Sequence, residues 1–192
     1  MLISEYINRF RSFIKLRLRN SGLLPSIVMA HAILESADEQ QRVGQSVHAI
    51  EYNNDVRIRA DRSWKGPKVR LPIRTSSPFA KGRKAWYRIY LSGEQAIGDR
   101  IDMLTKKLPL WPSGLFYNDT LKMQAVMLQA SGVTNDPGYS EHIVQLVNKH
   151  KLYWMDTRWI IQYVFTTVLT ISLVRFGIYL LSTYWDVIVP WR

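Results

Sequence analysis

One carboxylate stands out by its position. The stretch SIVMAHAILES, residues 26–36, is a run of apolar and small residues that closes on Glu35 and Ser36. A glutamate at a helix end is commonplace. An acid at the edge of an apolar core is also the arrangement that raises a carboxyl pKa and makes it a proton donor near neutral pH. Few other groups compete with it. The chain has no Cys, which excludes disulfides and thiolate metal sites. His31, His48, His142 and His150 have no metal-like spacing with acids and read as ordinary core or surface histidines. Ser36 lies in no nucleophile-elbow motif, and no glycine-rich loop is set to cradle a phosphate. No metal and no cofactor is expected.

A second feature is charge. The chain carries a formal net charge of +11 in 192 residues. Between Val56 and Arg88 the basic residues number eleven, and Asp61 is the sole acid. Trp64, Trp86, Tyr87 and Tyr90 lie within or beside this run. Cations interleaved with aromatics suit a polyanionic or sugar partner, or simply form a solvated face over a small core. A nucleic-acid partner is disfavoured, because no nucleic-acid-binding motif accompanies the charge.

These groups need elements to position them. Apolar residues at helical spacing predict an amphipathic first helix over residues 1–20, and the stretch lacks the uninterrupted apolar run of a secretion signal. Gly22 and Pro25 make a turn, and Ser26 is a candidate cap for a second helix running to about Glu35. Residues 55–90 alternate apolar and polar positions with Gly, Pro and Ser punctuation and predict two or three short strands. Helices are expected over 92–108 with Ser92 as cap, over 119–131 ending at Gly132, and over 139–152 after a turn at 135–138. The fold class is α+β, mostly helical with a small β lobe, in a domain spanning 1–156.

The remainder, 157–192, reads as a transmembrane tail. Residues 159–185 are long enough for a single-pass bilayer span, which takes about 20 apolar residues. Trp154, Trp159, Trp185 and Trp191 flank them, and Arg175 interrupts them. Lys149, Lys151 and Arg158 before the span would hold the main domain on the cytoplasmic side. The side of the membrane on which the main domain lies is left open.

Four segments share an order and spacing: AHAILES (30–36), NNDVRIRADRSWKG (53–66), WYRIYLSGEQAIGDRIDML (86–104) and GVTNDPGYSEHI (132–143). Together they resemble the glucosaminidase domain of glycoside hydrolase family 73, found in flagellar-rod and autolysin-type peptidoglycan hydrolases. The resemblance runs from about residue 5 to residue 156. It implies a lysozyme-like fold with a cleft between a helical lobe and a small sheet lobe. It implies peptidoglycan, or a related N-acetylglucosamine polymer, as substrate. It places the general acid on Glu35 and substrate contacts on Asn54, Trp64, Tyr90 and Tyr139.

The departures are specific. Family members often carry a second carboxylate in the sheet lobe, but VRLPIRTSSPFAKGRKAWYR (69–88) contains no acid. An inverting glycosidase needs a base and a retaining one a nucleophile. Glu51, Asp55 or the substrate's own acetamido group are the candidate substitutes. Arg57 stands where the family usually has a glycine, and Val133 where it has an aromatic residue. Two functions follow: a peptidoglycan hydrolase acting through Glu35, or a degenerate membrane-anchored glycan-binding or scaffold protein that lacks the second acid.

Overall fold

The structure, a computed structural model, describes residues 1–38, 42–73, 82–107, 117–134 and 136–188, side chains 157–160, 162–163, 166–167 and 183–188 excepted. It divides into two units, Met1–Asp156 and Thr157–Arg192.

In the first unit, α1 (Ile3–Arg17) buries Tyr6, Ile7, Phe10 and Ile14, the stripe that the helical spacing predicts. Each such side chain contributes about 1.5–3 kcal/mol when fully buried. Helix α2 (Pro25–Ser36) is buried along nearly its whole length. It packs against α1, against α5 (Tyr117–Leu128) and α6 (Tyr139–Lys149), and against a 3₁₀ turn at Leu152–Asp156. This enclosure explains why its sequence is apolar on every side.

Ser26 is not the cap of α2. Pro25 occupies the first turn and Leu24 the cap position. The cap is supplied from far along the chain: Ser26 N–H donates to Asp156 Oδ1 at 2.9 Å, and Leu24 N–H donates to Gln124 Oε1 at 2.9 Å. The buried Asp156 also accepts from the Tyr117 hydroxyl at 2.7 Å. Burial pushes its carboxyl pKa up to about 6. Pro at the first helical position is expected because its missing N–H would be unpaired there.

A short helix, α3 (Val47–Tyr52), is capped by Ser46, whose side chain accepts from Ala49 N–H. The small lobe follows. Strands β1 (Lys68–Pro72) and β2 (Lys84–Arg88) pair antiparallel, with Arg70 opposite Trp86 and Pro72 opposite Lys84. Arg59 adds one further bridge to Tyr87. Two strands therefore form among the described residues; 74–81, inside the expected strand region, lie outside them. The hairpin is fastened by Asn54. Its amide Nδ2 donates to Ile58 O (3.0 Å) and Arg88 O (2.9 Å), and its Oδ1 accepts from Ile58 N–H (2.8 Å).

Helix α4 (Gly93–Lys107) begins with Ser92 accepting from Gln95 N–H at 3.3 Å, as expected. Its first residue is glycine because a Cβ there would collide with Asp55. α5 ends in a π-helical turn whose Gly132 has φ 78°, the left-handed geometry that glycine adopts without strain.

The second unit is α7 (Thr157–Ile188), a single helix of 32 residues. Its described large apolar side chains are exposed, among them Phe165, Ile171, Leu173, Phe176 and Leu181. The expected membrane span at 159–185 is not carried by the structure: among the described residues no helix is long and apolar enough to cross a membrane. Arg175 and the hydroxyls of Thr170, Ser172 and Ser182 interrupt the apolar run. Ser172 and Ser182 turn back on the helix, donating to Val168 O at 2.9 Å and Tyr179 O at 2.8 Å. Trp154, expected to flank the span, belongs to the first unit, where Arg11 and Lys15 of α1 lie over its ring. Trp191 and the side chains of Trp159 and Trp185 lie outside the described residues.

Candidate active site

Glu35 sits in the last turn of α2, its side chain 16% exposed. Two oxygens have two different neighbours. Oε1 accepts a hydrogen bond from the Tyr139 hydroxyl at 3.0 Å. Oε2 lies 3.9 Å from Arg57 Nε. Tyr139 is the first residue of α6 and is almost fully buried. Burial, and then the charge of Glu35, push its phenol well above the usual range, so it stays a donor.

Arg57 reaches the acid from the loop after α3. It holds φ 47°, a left-handed conformation that costs a non-glycine residue roughly 1–2 kcal/mol. Its guanidinium Nη2 donates to Ala37 O at 2.8 Å, one residue past α2. Glycine would fit such a φ without strain; arginine accepts the strain and brings a cation to the carboxylate. Arg100 of α4 adds a second charge that acts on both Glu35 and Tyr139. It is anchored by donation from Nη2 to Val56 O at 3.0 Å, and burial lowers its pKa.

His31 completes the arrangement. It lies one turn before Glu35 on the same face of α2, the i, i+4 relation. Its Nδ1 is 2.6 Å from the Tyr139 hydroxyl. The histidine is fully buried, and burial followed by the nearby Arg100 charge holds its pKa well below the ordinary value. One tyrosine hydroxyl therefore joins two residues of one helix.

The remaining expected contacts are placed differently. Asn54 is buried, with its amide engaged by backbone in the bracket beneath the hairpin. Tyr90 donates from its hydroxyl to Asp99 Oδ2, and Arg88 Nη1 donates to the same oxygen at 2.7 Å. Trp64 is half-buried: its indole N–H donates to Pro67 O at 3.0 Å, and Arg88 lies 4.5 Å from its ring centroid. Tyr90 stands beside it at 5.7 Å between centroids. Of the four, Tyr139 is the one hydrogen-bonded to Glu35.

The candidate second carboxylates lie in contrasting surroundings. Asp55 is 6% exposed and accepts from the Tyr6 hydroxyl at 3.0 Å, and burial raises its pKa. Glu51 is exposed on α3. Among the described residues no group of three or more His, Cys, Asp or Glu could hold a metal ion. Sequence reading did not pick out Arg100, and it treated His31 as a default core histidine. The i, i+4 spacing of His31 and Glu35 was the available signal. Arg57 was noticed as a departure, without its destination.

The family model described as Glucosaminidase, mannosyl-glycoprotein endo-beta-N-acetylglucosaminidase, matches residues 12–152. The peptidoglycan hydrolase FlgJ of Salmonella typhimurium is 26% identical over 151 residues, which are 77% of this chain and 46% of that protein. The chain thus spans less than half the length of this curated relative. Among solved structures, the catalytic domain of the autolysin Auto from Listeria monocytogenes superposes with a TM-score of 0.60 at 20% identity, covering 80% of this chain and 87% of that one. A peptidoglycan hydrolase from Sphingomonas sp. A1 gives 0.58 at 21% identity, covering 79% and 91%. These likenesses show a common fold, which in this chain is mostly helical with a small two-stranded sheet among the described residues.

Proposed function

The chain belongs to the glucosaminidase family, and on that premise we propose that it hydrolyses peptidoglycan strands at N-acetylglucosamine, with Glu35 as general acid. The observation that carries this reading is the unequal treatment of the two Glu35 oxygens. Tyr139 donates to Oε1, which makes that oxygen an acceptor, whereas Oε2 faces Arg57 Nε at 3.9 Å, beyond hydrogen-bond distance, and is the oxygen free to take a transferable proton. A carboxylic acid so divided can give its proton to a leaving glycosidic oxygen. Peptidoglycan as substrate is supported by the hydrolases the chain resembles.

The second half of the reaction needs a group that activates water or traps the sugar. Asp55 is buried against Tyr6, and Glu51 faces solvent. The sequence from 69 to 88 contains no acid. We assign the role to the substrate's acetamido oxygen, which attacks the anomeric carbon as the glycosidic bond breaks. Trp64, at the half-buried edge of the small lobe, is the aromatic surface for a sugar ring. The exposed cations of the hairpin hold the anionic wall polymer.

One observation favours a second reading. The same lack of an acid in the hairpin sequence fits a degenerate, glycan-binding protein. Turbidity loss of purified peptidoglycan separates the two. Clearing by residues 1–156, a unit with its own core, and none by Glu35→Gln supports the hydrolase. Binding without clearing by either supports the second reading. Product stereochemistry then tests the acetamido role, since participation retains the anomeric configuration and inversion would defeat it.

We also propose that α7 associates with a membrane, supported by the exposure of its described apolar side chains and by its single charge, Arg175, between residues 159 and 185. Flotation of the full chain with lipid vesicles, against residues 1–156, tests this; equal flotation of the two would defeat it.

A further inference from the structure

We propose that His31 is a positioning residue for Glu35: it fixes the direction of the Tyr139 hydroxyl, and so determines which carboxyl oxygen carries the transferable proton. The proposal rests on the hydrolase reading above, and goes beyond it by adding a third group to the acid.

The argument is a count of protons. A tyrosine hydroxyl has one proton to donate and lone pairs to accept with. Here it has two neighbours, Glu35 Oε1 at 3.0 Å and His31 Nδ1 at 2.6 Å. If Tyr139 donates to Oε1, His31 must donate from Nδ1, and the Glu35 proton rides on Oε2. If His31 carries its proton on Nε2 instead, Nδ1 becomes an acceptor and takes the Tyr139 proton. Tyr139 then turns a lone pair toward Oε1, and only a proton on Oε1 can fill that gap. The acid would then hold its proton inward, against Tyr139. The tautomer of one imidazole thus separates a presented proton from a sequestered one.

Two observations select the Nδ1–H form. The ring is neutral, because burial and then the Arg100 charge disfavour a second proton. Among the described residues its Nε2 is buried with no hydrogen-bond partner. An N–H there would be an unpaired donor near a cation, whereas a lone pair there is compatible with it. No proton travels along the chain of groups. His31 and Tyr139 keep theirs throughout, and the proton delivered is the one on Oε2.

The first test is independent of activity. Nitrogen-15 correlation spectra of the histidine rings should show His31 neutral with its proton on Nδ1, and the bonded proton should shift in Tyr139→Phe. A proton on Nε2 would overturn the proposal. The second test is kinetic, on soluble wall fragments. His31→Leu should lower kcat roughly tenfold with KM nearly unchanged, a loss through positioning. His31→Asn, which places an amide N–H where Nδ1–H was, should recover most of it. In a Tyr139→Phe background, His31→Leu should cost nothing further. An equal loss in that background, or no rescue by asparagine in a folded protein, would show a purely structural histidine. Wild-type protein that clears no wall defeats the hydrolase reading by itself, and the imidazole spectra still decide the direction of the hydrogen bond.

Discussion

The surroundings of Glu35 and the outer face of the β1–β2 hairpin are built in opposite directions. Around Glu35, α2, α6, α4 and the loop after α3 send His31, Tyr139, Arg100 and Arg57 inward, and each has a defined partner or charge to meet. On the hairpin, Lys68, Arg70, Lys84 and Trp86 point outward, and Trp86 is 47% exposed with the Lys68 ammonium over its ring. On the function proposed above, the difference is a division of labour. Chemistry on a single acid needs its proton placed to a fraction of an ångström, which takes packed helices. Holding a charged polymer needs only density of charge, which a short solvated hairpin supplies.

The largest expected effect tests the inward side. Glu35→Gln should lower wall-clearing activity about 1,000-fold, in the range lost with a general acid, while leaving wall binding intact. Loss of binding as well would blur the division. Next is the bracket that fastens the outward lobe. Asn54→Ala orphans the Ile58 N–H and removes one donor from the Ile58 and Arg88 carbonyls, the first of which keeps the Arg88 N–H, and should lower stability by roughly 1 to 3 kcal/mol in chemical denaturation. A change below about 1 kcal/mol would mean that the hairpin stands without it.

Asp156 gives the helical side a pH signature. Its carboxyl titrates near 3.8 when unfolded and at about 6 when folded, so between these values the folded chain binds more protons. Stability should therefore fall as pH rises from 3.8 to about 6, by about 3 kcal/mol from this group, and stay low above it. Asp156→Asn should flatten that slope in thermal melts at pH 4 and pH 7. The smallest effect belongs to the outward face. Changing Lys68, Arg70 and Lys84 to Gln should weaken wall binding a few-fold at low salt and hardly at all at 0.5 M, with kcat unchanged. A fall in kcat would place these cations in the chemistry and break the comparison.

The sequence was most readable where pattern and packing agree. The stripe Tyr6, Ile7, Phe10 and Ile14, the Ser92 cap and the Gly132 stop are local signals, and the structure repeats them. Glu35 was readable as the end of an apolar helix. What surrounds it was not, because its partners come from residues 57, 100 and 139, and nothing in a linear pattern says which distant side chain will meet an acid. Ser26 misled for the same reason. It has the right type for a cap, but the carboxylate that does the capping is 130 residues away. Asn54 and Tyr90, implied as sugar contacts, also hold protein partners that no local pattern announced.

Those long separations also impose an order in time. Helix α2 leaves the ribosome before the residues that complete it: the Leu24 amide waits for Gln124, Glu35 for Tyr139 and Ser26 for Asp156. Contacts so distant in sequence form slowly, and until they form an apolar helix stands with open ends. A nascent chain stalled before residue 139 therefore carries Glu35 without the Tyr139 hydroxyl that donates to it.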